Sequence, residues 1–145
     1  AQAAVPAQGA HRVGLLGCCV TEADEAVLQM VRQLGLQIAA DAMECPFDGT
    51  RPTIAQRPNA PFFSWLRQLG QVNRLEGWVL LRQTWCDLYH AEVARLKSET
   101  ALPWLDLETG AYPAIEALRT RAEAFVEVLA NRVPMDSGTA ERGRA

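Results

Sequence analysis

The chain has 145 residues, about half of them apolar, which is enough to build one sizeable core. Fourteen Lys and Arg stand against seventeen Asp and Glu, a net charge of −3, and the arginines are scattered singly, so no basic patch recommends nucleic-acid binding. No apolar run approaches the length of a bilayer span, and a membrane partner is not expected.

The opening "AQAAVPAQGA" reads as a linker or the ragged start of an excised piece over residues 1–11, rather than a signal peptide. "RVGLLG" (Arg12 to Gly17) is a short apolar run closed by Gly, the pattern of a buried strand. In "TEADEAVLQMVRQLG" Thr21 suits an N-cap, and Glu22, Asp24 and Glu25 fall in the first turn, where the helix dipole favours acids. Val27, Leu28, Met30, Val31 and Leu34 form the apolar face of that helix, and Gly35 suits the C′ position. "LQIAA" (Leu36 to Ala40) is the second strand. A loop rich in breakers follows, with Pro46, Gly49, Pro52 and Pro58. "PFFSWLRQLGQVNR" is a short helix with Pro61 near N1. "GWVLL" (Gly77 to Leu81) is a buried strand, and "DLYHAEVARLKSE" a helix with Leu88, Val93 and Leu96 on one side. "LPWLDLE" is a fourth strand whose partial alternation suggests an edge. "YPAIEALRTRAEAFVEVLANRV" is the longest helix, with Ile115, Leu118, Ala122, Phe125 and Leu129 at helical spacing. The polar "PMDSGTAERGRA" reads as a poorly ordered tail over 134–145, leaving one domain over 12–133.

Alternation of strand and helix predicts an α/β fold, a small three-layer, Rossmann-like domain. Its four-stranded parallel sheet is flanked by helices and built from right-handed crossovers. Such sheets bind ligands beyond the carboxyl ends of the strands. Four cysteines are expected at that edge: Cys18 and Cys19 after strand one, Cys45 after strand two, Cys86 after strand three. No C-x-x-C occurs, so a zinc ribbon is not indicated, and the thiols read as reduced or metal-ligating in a cytoplasmic setting. Cys86 precedes a helix start, where amides and dipole favour a thiolate, the form that binds metal or an iron–sulfur cluster. The plain alternatives stand beside this. Cys86 is also a candidate buried structural thiol, and Cys18 and Cys19 read first as apolar loop packing. Trp65, Trp78, Trp85 and Trp104 read as core or interface, with Trp85 placed to shield a cluster. His11 and His90 are too far apart to suggest a site, and a surface position suits His90. "GLLGCC" lacks the spacing and lysine of a nucleotide loop.

"EGWVLLRQTWCD", "LPWLDLETG" and "RTRAEAFVEVL", preceded by "HRVGLLGCCV" and "LGLQIAADAMECPFDGTRP", resemble in order and spacing the C-terminal domain of the 2-hydroxyacyl-CoA dehydratase family, which includes benzoyl-CoA reductase subunits. The resemblance spans Arg12 to Leu129. It implies two similar subunits, each holding a [4Fe–4S] cluster through three cysteines, one of them in the segment matched by Cys86 and two in an upstream domain. It also implies an ATP-dependent activator protein that supplies one electron, for radical dehydration of a 2-hydroxyacyl-CoA or reduction of an aromatic ring. Asp87, Pro103, Glu108, Thr109, Arg121, Ala124 and Phe125 match the family segments in supporting positions, with Arg121 either solvated or holding Glu108. Cys45 matches a recurrent family cysteine outside the ligand set, although Cys18, Cys45 and Cys86 together are a further candidate set. Gly110 replaces the family's acid, the stretch from Pro58 to Gly77 is short, and the upstream ligands are missing. On this reading the chain is a fragment or component, inactive alone, completed by a second subunit or an N-terminal domain that also selects the acyl-CoA. A non-catalytic docking module and a small iron–sulfur electron carrier are the alternatives.

Overall fold

The computed structural model describes residues 10–44 and 49–132. Its elements follow the expected order: β1 His11–Gly17, α1 Glu22–Gln33, β2 Leu36–Met43, α2 Ala60–Val72, β3 Gly77–Gln83, α3 Asp87–Glu99, β4 Trp104–Thr109 and α4 Ile115–Ala130. The four strands form one parallel sheet in the order β2-β1-β3-β4, so the alternating β4 does lie at an edge. No described helix is long and apolar enough to cross a membrane.

Strand parity divides the core in two. Val13 and Leu15 of β1, Val79 and Leu81 of β3, and Leu105 and Leu107 of β4 pack with α1 and α4. Leu16, Trp78 and Leu80 point the other way and pack with Phe62, Phe63 and Leu66 of α2 and Tyr89 and Leu96 of α3. The sheet therefore has a helical layer on each face, the three-layer arrangement expected of alternating elements.

Local signals act as the sequence suggests. Thr21 precedes α1, and its N–H and hydroxyl both donate to the Asp24 carboxylate at 2.8 Å. Gly35 follows the C-cap Leu34 with φ of 83°, a left-handed conformation that costs glycine little. β2 runs to Met43, three residues past the expected end, because its backbone keeps pairing with β1 through Leu16↔Ala42 and Gly17↔Met43. Asp41 interrupts the apolar pattern there on an exposed position without interrupting the ladder.

Gly17 ends β1 opposite Leu81 of β3. A Cβ at Gly17 would stand 2.0 Å from the Leu81 carbonyl oxygen and 3.1 Å from Met43 Cε. The first contact is with backbone, which cannot rotate away. Gly17→Ala is expected to lower stability by about 3 kcal/mol, the upper range for overpacking, read as a fall in the urea midpoint at unchanged m-value. An unchanged midpoint would show that the two strands have room to part.

Candidate functional site

The chain runs from β1 outward to β2 and then across to β3, so the topology reverses between β1 and β3. Open α/β sheets bind ligands beyond the carboxyl ends of the strands at such a reversal. Two thiols meet there. Cys18 leaves the end of β1, Cys86 stands three residues beyond β3, and their Sγ atoms are 3.3 Å apart. Both are half-buried thiols. The sequence placed them at one edge, and the structure brings them into contact.

Cys86 is the N-cap of α3. Its N–H donates to Gln83 O at 2.9 Å, and its carbonyl accepts the His90 N–H at 3.1 Å, so the main chain fixes the position of the thiol at the helix mouth. Cys18 packs at the margin of the α2–α3 core, as does Cys86. Burial, with the Cys86 sulfur beside it and the charge of Glu44 close by, pushes the Cys18 thiol up to about 12. Tyr89 lies beneath the pair, fully buried, its hydroxyl donating to Gly17 O at 3.4 Å. Burial first, then the Glu44 carboxylate, holds that phenol well above its ordinary range. Tyr89 is thus a hydrogen-bond donor under the loops and not a base.

Glu44 closes the third side. Its N–H donates to Gly17 O at 2.9 Å, and Oε1 accepts the Ile54 N–H at 2.9 Å. Cys45 follows it directly but lies outside the described residues. Cys19 is half-buried on the same loop as Cys18.

The supporting residues fall into place less evenly. Asp87 opens α3 on an exposed position, where its charge complements the dipole without a side-chain bond to any described residue. Thr109 is buried, its hydroxyl directed to Arg82 O at 3.4 Å. Glu108 pairs with Arg82 at 3.0 Å rather than with Arg121. Parity explains this: Leu105 and Leu107 face α4, so Glu108 points to the α3 side, while Arg121 is exposed on α4 across the sheet. Phe125 is core, as expected. Trp78 is also core, but Trp85 is 85 % exposed, which removes it from the core reading.

Three features escape the sequence. Arg82, at the end of β3, holds Asp106 through Nε at 2.8 Å and Nη2 at 3.2 Å. Its Nη1 also lies against the His90 imidazole, 2.8 Å from Nδ1 and 2.6 Å from Nε2, and Nε2 is 3.3 Å from Thr84 O. Asp24, fully buried, accepts on Oδ2 from Thr21 and, at 2.8 Å, from Gln83 Nε2, and so ties α1 to the end of β3. Its Oδ1 has no hydrogen-bond partner among the described residues. The third feature is an open cleft of about 410 Å³ beside Trp85, walled by Thr84, Glu108, Thr109 and the 96 % exposed Tyr112. Parity of Arg and Asp on neighbouring strands was a signal for the first; nothing in the sequence signalled the others. A second cleft, of about 330 Å³ and lined by Leu66, Gly70, Leu75, Trp78 and Leu102, lies at the amino edge, away from the thiols.

Chemically, the crevice offers soft sulfur donors at a helix N-terminus, with acids set behind them. Two thiolates bound to one tetrahedral metal stand about 3.8 Å apart, given metal–sulfur bonds near 2.3 Å. The Cys18–Cys86 separation of 3.3 Å is shorter than that. Among the described residues no group of three or more His, Cys, Asp or Glu side chains is arranged to hold a metal ion. A family model described as 2-hydroxyglutaryl-CoA dehydratase, D-component, matches residues 1–129. A search of curated proteins finds no match to the chain.

Proposed function

Because this chain belongs to the 2-hydroxyglutaryl-CoA dehydratase D-component family, we infer that it serves in a 2-hydroxyacyl-CoA dehydratase-type subunit and lends the Cys86 thiolate to a [4Fe–4S] cluster. The observation that carries this reading is the placement of Cys86: half-buried, at the mouth of α3, on the crevice between β1 and β3. Cysteine thiolates are the ligands of such clusters, and the donor set here fits a share of one. Cys18 is too close to Cys86 for both to bind one tetrahedral metal as they stand, and ligands to separate irons lie farther apart still. The remaining ligands then come from a second subunit or an N-terminal domain. When bound, the cluster supplies one-electron reduction of an acyl-CoA thioester, fed by an ATP-dependent activator.

This chain's residues would hold and shield. Cys86 stands at the N-cap of α3, with its backbone bonded on both sides. Tyr89, Leu16 and Leu80 pack beneath the crevice and keep water from its floor. The cleft between Trp85 and Tyr112 presents apolar rings to whatever closes over the rim. The family's name points to dehydration; ring reduction of the benzoyl-CoA type is the variant within the same one-electron chemistry.

A docking role without redox chemistry is the second reading, favoured by the exposure of Trp85 and Tyr112 on one rim. Anaerobic purification with iron and acid-labile sulfide analysis separates the two. Iron absent from the chain alone and present in the complex with its partner subunit supports the ligand-sharing reading. Stoichiometric iron in the chain alone would make it a self-sufficient electron carrier, and no iron in either setting leaves the docking module.

A further inference from the structure

The contact between Cys18 and Cys86 is more than cluster ligation asks for. Strands β1 and β3 are neighbours in the sheet, paired Gly17↔Leu81 at their carboxyl ends, and each passes directly into the loop that bears one of the thiols. Gly17 permits this close approach, since any Cβ there would strike the Leu81 carbonyl. The loops are held from below by the Glu44 N–H and the Tyr89 hydroxyl, both on Gly17 O, and the Cys86 backbone is bonded on both sides. The two sulfurs need come only about 1.2 Å closer to reach the disulfide bond length of about 2.05 Å, from a separation of 3.3 Å. Rotation of two half-buried side chains supplies that movement, and the same partial exposure admits a small reagent.

We propose that Cys18 and Cys86 form a reversible disulfide by exchange with a low-molecular-weight disulfide of the oxidised-glutathione class, and that this bond withdraws Cys86 from metal ligation. The second half rests on the ligand role assigned to Cys86 above; the first does not. One protein thiolate attacks the reagent, forming a mixed disulfide and releasing one reduced thiol. The other protein thiol then displaces the second, so two protein thiols and one small disulfide yield one protein disulfide and two small thiols. Both protons leave with the released thiols. Reduced thiol in excess reverses both steps.

The test begins with the reduced chain, incubated anaerobically with oxidised glutathione, blocked with N-ethylmaleimide and digested with trypsin without reduction. Peptides 13–32 and 83–95 carry Cys18 with Cys19, and Cys86, respectively. A linked pair of these peptides is expected in the wild type and in Cys19→Ser, and none in Cys18→Ser or Cys86→Ser. Dithiothreitol should separate them. A link through Cys19 or Cys45, or only glutathione adducts on Cys18 and Cys86, overturns the proposal. In the complex with the partner subunit, prior oxidation should cut iron incorporation at least fivefold, with recovery after dithiothreitol. Cys18→Ser should take up iron normally and ignore the oxidant. A linked peptide without loss of iron uptake refutes the competition. Iron that depends on Cys86 with no linked peptide refutes the disulfide and leaves the ligand reading standing. A linked peptide in a protein whose iron never depends on Cys86 refutes the ligand reading and leaves the disulfide.

Discussion

Cys86→Ala should remove the cluster iron from the complete assembly while leaving the helical far-UV signal of the chain unchanged. The stability cost should be about 1 kcal/mol, the scale of one small apolar group partly returned to water. The backbone bonds that place residue 86 run from its N–H to Gln83 and from His90 to its carbonyl, and alanine keeps both. The cysteine side chain makes no capping bond to α3, so its loss removes no helix-terminal hydrogen bond. The change thus separates ligation from packing. Iron lost at constant helix content and a nearly constant urea midpoint is the signature of a ligand. Iron lost together with a large fall in the midpoint would return Cys86 to the role of a small buried residue. Cys18→Ala is the matched control: it removes the other sulfur of the pair and should leave iron in place. Iron lost equally in both variants would promote Cys18 to a ligand beside Cys86.

The order of elements was legible because each strand is a short apolar run and each helix repeats its apolar residues at helical spacing. Even the edge position of β4 showed, since Leu105 and Leu107 alternate with the acids Asp106 and Glu108, a pattern that fits a strand paired on one side only. What periodicity does not encode is strand adjacency. The rule that ligands gather at the carboxyl edge placed Cys18 and Cys86 on one rim, but their contact follows from β1 lying beside β3, which only the assembled sheet supplies. Partner choice was harder. Arg121 is a natural mate for Glu108 if only charge is weighed, yet the sheet stands between them, and Arg82, two residues along the same parity as Leu80, faces the acids instead. Asp24 looked like an ordinary first-turn acid. Its burial comes from Gln83 on β3, a tertiary contact that no local pattern announces. Trp85 falls outside the core half of its core-or-interface reading: it sits on the loop between β3 and α3, 85 % exposed.

Arg82→Met is expected to cost about 3–5 kcal/mol, the range for removing one member of a buried ion pair. The side chains of Arg82 and Asp106 are 10 % and 12 % exposed, and two parallel N–H···O bonds join them. Burial alone would weaken the charge on Arg82, but Asp106 and then Glu108 outweigh it and hold the guanidinium above its ordinary range. Without the cation, Asp106 keeps its desolvation and faces Glu108 across the vacated space. Arg82→Lys should recover only part of the loss, because an ammonium cannot reproduce the two-pronged geometry. Adding Asp106→Leu to Arg82→Met should restore much of the stability, since the penalty lies mainly in the carboxylate left unpaired. Urea unfolding of the four species closes a double-mutant cycle. A single-variant cost under about 1 kcal/mol would class the pair with exposed salt bridges and show that water reaches it. The consequence extends to the crevice. The Arg82 carbonyl accepts from Thr109 and the next residue, Gln83, holds both Asp24 and the Cys86 N–H. Loosening the end of β3 should therefore disturb the thiol pair before it unfolds the domain, visible as faster alkylation of Cys86 in Arg82→Met than in the parent at a denaturant concentration where both remain folded.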